Sequence, residues 1–337
     1  MGNHPQDHGW RNLYRLFAEG LKSRAPGITA IVLDHFSAHP QTSCPHFVSL
    51  LGIAVKAITQ DGFPVLAVDL PDDHRLAVLE RLLIDNRDRI REILSTRRNS
   101  FTGARRFLVP QVLLGAYFAG GRYTVRFADL GTGLGIMPRQ LNSRVLYRRF
   151  SVDLKWPEGF PEFRRIPLAT RFGVDRGPMP DLNWVTACYG SSSYYRTLHH
   201  ELLYSLTVPE VRSAPVSYRE VDLTDTATLS EFVSRNQINA VNLCYALYEL
   251  NPGYRTQVIH TLVECLEEPK VIIVTEPSRD LAEPGCTVTF YEKGSTRPLR
   301  VCQVSDGHFK GSVTPLDDYR EYCEKYSIVF RDATEVA

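Results

Sequence analysis

The chain has 337 residues, of which 43% are hydrophobic and 23% charged, and its formal net charge is +1. That length can bury a sizeable core, and that composition excludes a disordered chain. The balanced charge, broken only by the short pairs Arg97-Arg98, Arg105-Arg106 and Arg148-Arg149, argues against a nucleic-acid partner. No apolar run approaches the roughly 20 residues of a membrane span, and the first residues lack the basic-then-apolar order of a signal peptide. A cytoplasmic protein with no membrane association is expected. The seven cysteines are scattered and include no C-x-x-C pair, so neither a disulfide framework nor a zinc knuckle is expected.

In chain order, Trp10, Leu13, Leu16, Phe17 and Leu21 recur at helical spacing, and a second helical run covers Phe47 to Thr59. A third helix starts at Asp72-Asp73, residues suited to a helix N-terminus, and continues as one stripe to Leu94. A fourth, Ala104 to Ala119, contains Pro110, which predicts a kink or a break, and Gly120-Gly121 ends it. No strand is expected before Tyr123. From there the texture changes. Thr124 to Leu130 reads as a buried strand, and short apolar strands then alternate with helices, the pattern of a parallel sheet covered on both faces. The strands are expected at Thr170–Val174, Ser217–Val221, Ala240–Cys244 and Val271–Val274, with helices around Trp184–Ser205, Thr226–Ser234 and Tyr254–Leu266. Thr287–Tyr291 and Leu299–Val304, joined by a turn at 293–296, predict a terminal antiparallel hairpin. The expected organisation is a helical region over 1–121 that caps or docks, followed by a doubly wound, Rossmann-like α/β domain over 122–337.

The strongest chemical signal is Asp129-Leu130-Gly131-Thr132-Gly133-Leu134-Gly135. Glycines between a strand and the next element let backbone approach a ligand closely. The spacing is not the G-x-G-x-x-G of a dinucleotide site. A purely structural tight turn is the alternative. Asp175 closes the predicted second strand, with Asp153 as its competitor, and Asp222 closes the third, where it or Asp225 can instead cap the helix from Thr226. At the end of the fourth strand Cys244, Tyr245, Tyr248 and Glu249 are placed to face substrate, Tyr248 or Glu249 as a base; packing of both tyrosines and inert burial of Cys244 are the alternatives. His199-His200-Glu201 lacks the spacing of helical metal ligands, so no metal site is expected.

The glycine turn resembles the first motif of class I S-adenosylmethionine-dependent methyltransferases. That resemblance implies Asp129, Gly131, Gly133 and Gly135 near the methionine part of S-adenosylmethionine, Asp175 on the ribose and Asp222 near the adenine. Over most of its length the chain also resembles the bacterial domain of unknown function 2332 family, on Thr96-Arg97-Arg98 with Arg106, Asp129 with Gly131 and Gly135, Gly173-Val174-Asp175 with Pro178, Trp184, Arg196, Pro252 and Gly307-His308-Phe309. It departs from that family at Thr102-Gly103, Met137, Gly190-Ser191 and Cys244-Tyr245. Three expectations follow. The first is a methyltransferase acting on a small or carrier-bound molecule in bacterial biosynthesis. The second is a repurposed core that displaces an anionic group without a methyl donor, as in aziridine formation by sulfate loss, with Arg97, Arg98, Arg105 and Arg106 holding the anion. The third is a non-catalytic half of a hetero-oligomer.

Overall fold

The computed structural model describes residues 8–59, 71–119, 123–190, 192–281, 283–292, 295 and 297–326. Five helices come first: α1 (His8–Lys22), α2 (Pro26–Ala38), α3 (Cys44–Thr59), α4 (Asp72–Asp85) and α5 (Arg87–Thr96). Their buried faces form one core, in which Trp10, Leu13 and Leu16 meet Leu50, Leu51 and Ile53. The indole of Trp10 lies directly on Gly52, where a Cβ would stand 2.3 Å from a ring carbon. The stripe expected as a single third helix is broken at Asn86, whose amide donates to the carbonyl of Leu82 and closes α4. The helix α2 carries no side-chain cap of its own. Glu80 of α4 supplies one, accepting from the N–H groups of Gly27 and Ile28 at 2.8 and 2.9 Å.

Next comes α6 (Leu108–Tyr117). The helix expected from Ala104 begins only at Leu108, so Pro110 sits in its first turn, where a missing N–H breaks no intrahelical bond, and marks a break rather than a kink. Its side chains join the core of the sheet, with Phe107, Val112 and Leu113 packed among Phe127, Ile136 and Ile273. The elements that follow are β1 (Val125–Leu130), α7 (Ile136–Gln140), α8 (Arg144–Ser151), β2 (Leu154–Lys155), β3 (Leu168–Asp175), α9 (Leu182–Ala187), α10 (Ser193–Thr207), α11 (Pro209–Ser213), β4 (Ser217–Glu220), α12 (Thr226–Arg235), β5 (Ala240–Cys244), α13 (Pro252–Cys265), β6 (Val271–Pro277), β7 (Cys286–Tyr291), β8 (Leu299–Val304), β9 (Gly311–Pro315) and α14 (Tyr319–Tyr326).

One sheet runs β2-β9-β8-β7-β6-β5-β1-β3-β4. The run β6-β5-β1-β3-β4 is parallel; its central strands β6, β5 and β1 are almost wholly buried, and the edge strand β4 is largely exposed. The expected hairpin is β7 and β8, and β9 extends it into an antiparallel meander; the expected turn at 293–296 lies largely outside the described residues. The fold is doubly wound α/β. The chain leaves β1 toward β3 and β4 and later returns on its other side as β5 and β6, so the topological switch point lies at the carboxyl end of β1.

The helical region is stitched to that end of the sheet. Thr42 bridges Leu250, the N–H of Asn251 donates to the carbonyl of Gln41 at 2.8 Å, and that of Ser43 donates to the carbonyl of Glu249 at 2.8 Å. The Ser43 hydroxyl donates to the carbonyl of Tyr248.

Candidate functional site

At the switch point the chain makes its glycine turn. Gly131, Gly133 and Gly135 have φ of +76°, +55° and +63°, the left-handed region that favours glycine. At Gly131 a Cβ would stand 2.6 Å from that of Ala246, so no side chain fits between the ends of β1 and β5. Asp175 lies at the end of β3 and braces the turn, one carboxylate oxygen accepting from the N–H of Gly133 at 2.9 Å and the other from that of Arg176 at 2.8 Å. Each oxygen keeps a free lone pair. Asp153 is elsewhere, paired with Arg105 at 2.6 Å. Asp225 caps α12, accepting from the N–H of Thr228 at 3.1 Å. Asp222 instead pairs with Arg176 at 2.8 Å and accepts from Thr224.

Asp129 is buried beneath the turn. It accepts from the Thr132 hydroxyl at 2.7 Å and from the Asn242 amide at 2.8 Å. Burial, partly offset by those two donors, pushes its carboxyl up to about 7.

Beyond β5 the backbone is forced. Tyr245 has φ of +58°, rare for an aromatic residue. Glu276, in the last turn of β6, holds the segment: its carboxylate accepts from the N–H groups of Ala246, Leu247 and Tyr248 at 3.1, 2.9 and 2.7 Å. Tyr245 thereby lays its ring 4.3 Å from the Arg106 guanidinium and its hydroxyl against Gly307. Tyr248 accepts from the Asn99 amide at 3.0 Å. Burial raises both phenols well above their ordinary range, so they stay protonated and offer donors. It likewise pushes the Cys244 thiol up to about 12. Glu249 stands 3.4 Å from His46 of α3. Burial dominates for each, lifting the carboxyl well above the carboxylate range and lowering the imidazole to about 3, so this is a contact of neutral groups rather than an ion pair.

Three adjoining cavities line the carboxyl edge of the strands. The first, of about 70 Å³, lies between Asp175, Asp222 and Glu249 on the sheet side and His35, His39 and His46 on the helical side, with Arg98 beside them. The second, about 50 Å³, shares Arg98, Gly131, Asp175 and Glu249 with it and adds Asp129, Gly133 and Cys244. The third is the largest, about 140 Å³, and joins the second at Asn99, Phe101, Arg106 and Tyr245. Its walls include Trp10 and Ile53 of the helical region and Tyr194, Tyr195, Asp306 and His308 of the α/β region. The helical region therefore caps the crevice.

Of the four arginines expected to meet an anion, the structure brings two to the cavities. Arg98 and Arg106 make no ion pair among the described residues. Arg105 is buried and committed to Glu201 and Asp153, and Arg97 pairs with Asp181 and stacks on Trp184. Glu276, Asn99, His46 and His308 were not found by sequence reasoning. Only topology brings them to the crevice.

The donor set suits a nucleoside with an amino-acid tail: Asp175 has capacity for two hydroxyls, Leu223 and Leu250 offer apolar contact, and Arg98 can meet a carboxylate.

No family model matches the chain, and no curated protein matches it. Solved structures with some likeness include an O-methyltransferase family protein from Burkholderia thailandensis (15% identity, 67% of this chain and 53% of that one, TM-score 0.30). Others are an S-adenosylmethionine-dependent methyltransferase from Clostridium acetobutylicum (11% identity, 68% and 85%, TM-score 0.25) and the citrinin polyketide synthase CMeT domain (11%, 73% and 52%, TM-score 0.25). The chain spans just over half the length of the first of these.

Proposed function

We propose that this chain is a methyltransferase-type enzyme that binds S-adenosylmethionine in the two smaller cavities and a small or carrier-bound acceptor in the largest. The observation that carries the reading is continuity. The two crevice cavities share Gly131, Asp175 and Glu249, and the second opens at Arg106 and Tyr245 into the large one, so two ligands would meet at that junction. When bound, the cofactor would supply an electrophilic methyl group. Asp175 would accept the ribose hydroxyls, the Gly131–Gly133 backbone would let the tail approach, and Arg98 would face its carboxylate. Asp222, held by Arg176, would border the base. On the large cavity's wall His308, its ring tilted against that of Phe101 at 4.9 Å, is the imidazole that can take a proton from an acceptor hydroxyl. Tyr245 and Tyr248 orient the acceptor by donation and by their ring faces.

Titration calorimetry with S-adenosylmethionine and S-adenosylhomocysteine tests this. Micromolar binding, abolished in a folded Gly133→Trp variant, supports the reading; no binding at millimolar ligand removes it. A second reading has its own observation. The Nε of Arg106 is buried with no hydrogen-bond partner, at the junction where an anionic leaving group would sit. Under that reading the crevice promotes a displacement at carbon without a methyl donor. It predicts turnover that needs Arg106 and is indifferent to S-adenosylmethionine.

A further inference from the structure

The large cavity combines two features that together define a ligand class. One is a cation without a counter-charge. Arg106 makes no ion pair among the described residues; one terminal nitrogen donates to the carbonyl of Phe101 at 3.3 Å, and its Nε is buried and unsatisfied. Asp306, the acid among the described residues lining this cavity, makes no ion pair with it; its carboxylate accepts instead from the Tyr194 hydroxyl and from the N–H of His308 at 2.8 Å. A guanidinium left short of partners in a half-closed cavity is a receptor for a planar anion, which can accept two of its N–H groups side by side.

The other feature is flatness. The Arg106 guanidinium lies over the ring of Tyr245 at 4.3 Å and that of Phe101 at 5.3 Å, so two aromatic side chains hold it in place. Tyr245 cannot swing away: its backbone is pinned in the left-handed region by the Glu276 bonds, and its hydroxyl abuts Gly307. Phe101, Tyr195 and Tyr248 continue the wall, and aromatic side chains favour a ring laid offset-stacked or edge-on against them. We infer that the acceptor is a planar aromatic acid, its carboxylate on Arg106 and its ring among Phe101, Tyr195 and Tyr248. This rests on the reading of the large cavity as the acceptor site.

The test is titration calorimetry of the full chain with para-hydroxybenzoate, para-hydroxybenzamide and trans-4-hydroxycyclohexanecarboxylate. The first keeps charge and aromatic ring, the second loses the charge, and the third keeps charge and hydroxyl but loses the planar aromatic ring. The expected result is that para-hydroxybenzoate binds at least about tenfold more tightly than either relative, a charge-assisted pair being worth that much or more. Arg106→Gln should erase the advantage of the acid over the amide. Equal binding of acid and amide, a preference that survives Arg106→Gln, or no binding of the acid at millimolar concentration overturns the inference. The three-ligand comparison on the unaltered chain decides even if the variant misfolds. Acid binding without S-adenosylmethionine binding would leave this inference standing and remove the methyltransferase reading. The converse pattern would do the reverse.

Discussion

Asp129→Asn isolates one buried carboxyl and has a worked consequence. The Asn keeps the shape of the Asp and can still accept from Asn242 and donate to the Thr132 hydroxyl oxygen, so the turn should survive. What it removes is titration. The folded chain holds the Asp129 carboxyl at about 7, against an ordinary value of 3.8. A raised folded value means that the native state binds the proton more tightly than the unfolded chain. The stability this confers is fully present below the unfolded value and is lost as pH rises to about 7. The difference is about three units, roughly 4 kcal/mol over the whole window, of which roughly 2–3 kcal/mol falls between about pH 5 and about pH 8. Urea unfolding of both proteins at those two pH values measures it. Groups common to both cancel in the difference of differences, and the unaltered chain should lose roughly 2–3 kcal/mol more than Asp129→Asn on going to the higher pH. A difference below about 0.5 kcal/mol, or the opposite sign, would refute the claim that burial dominates at Asp129.

Glu276→Ala orphans the N–H groups of Ala246, Leu247 and Tyr248, and even with water replacing some of those bonds it should cost about 3 kcal/mol in urea unfolding. The same variant should weaken para-hydroxybenzoate binding at least about tenfold, because Tyr245 is then free to leave its left-handed conformation and Arg106 loses its stacking face. Arg105→Met makes the opposite pattern. It leaves Glu201 with Lys310 alone and strands Asp153, so stability should fall by about 3 kcal/mol or more, while ligand affinities measured by calorimetry on the folded fraction stay unchanged, since Arg105 lines none of the three cavities.

The parallel half of the fold was legible because its signals are local. A buried strand running into Asp129–Gly135 announces β1, and later strand-like runs, apolar at β5 and β6 and mixed at β3 and β4, announce the rest. The glycines stand where the backbone needs positive φ. The helical region was legible only in part. The helix α2 escaped because Pro26-Gly27 reads as punctuation and Ala25 cannot cap; its missing cap is Glu80, 53 residues along the chain. The break between α4 and α5 escaped for the converse reason, since the apolar stripe runs on through Asn86 without a change of face. The two-residue strand β2 exists because it pairs with β9, and β9 because it pairs with β8 and β2; nothing in either segment alone announces that.

The candidate site divides along the same line, and the division says something about how it is built. Asp175 and the glycine turn sit next to each other through one parallel pairing, so reading strand ends found them. Tyr245 was found as a residue but not as a conformation: a non-glycine residue at positive φ leaves no mark in a sequence, because the constraint lies in Glu276 on the neighbouring strand. Strain of that kind persists only where surrounding bonds over-determine it. Here three N–H bonds from one carboxylate hold a tyrosine against an unpaired arginine, and loops 42–43 and 249–251 clamp the far side. A turn needed only to connect β5 to α13 would relax to an unstrained form. A buried acid that keeps Tyr245 against Arg106 supports the proposal that this junction, more than the glycine turn, selects the ligand.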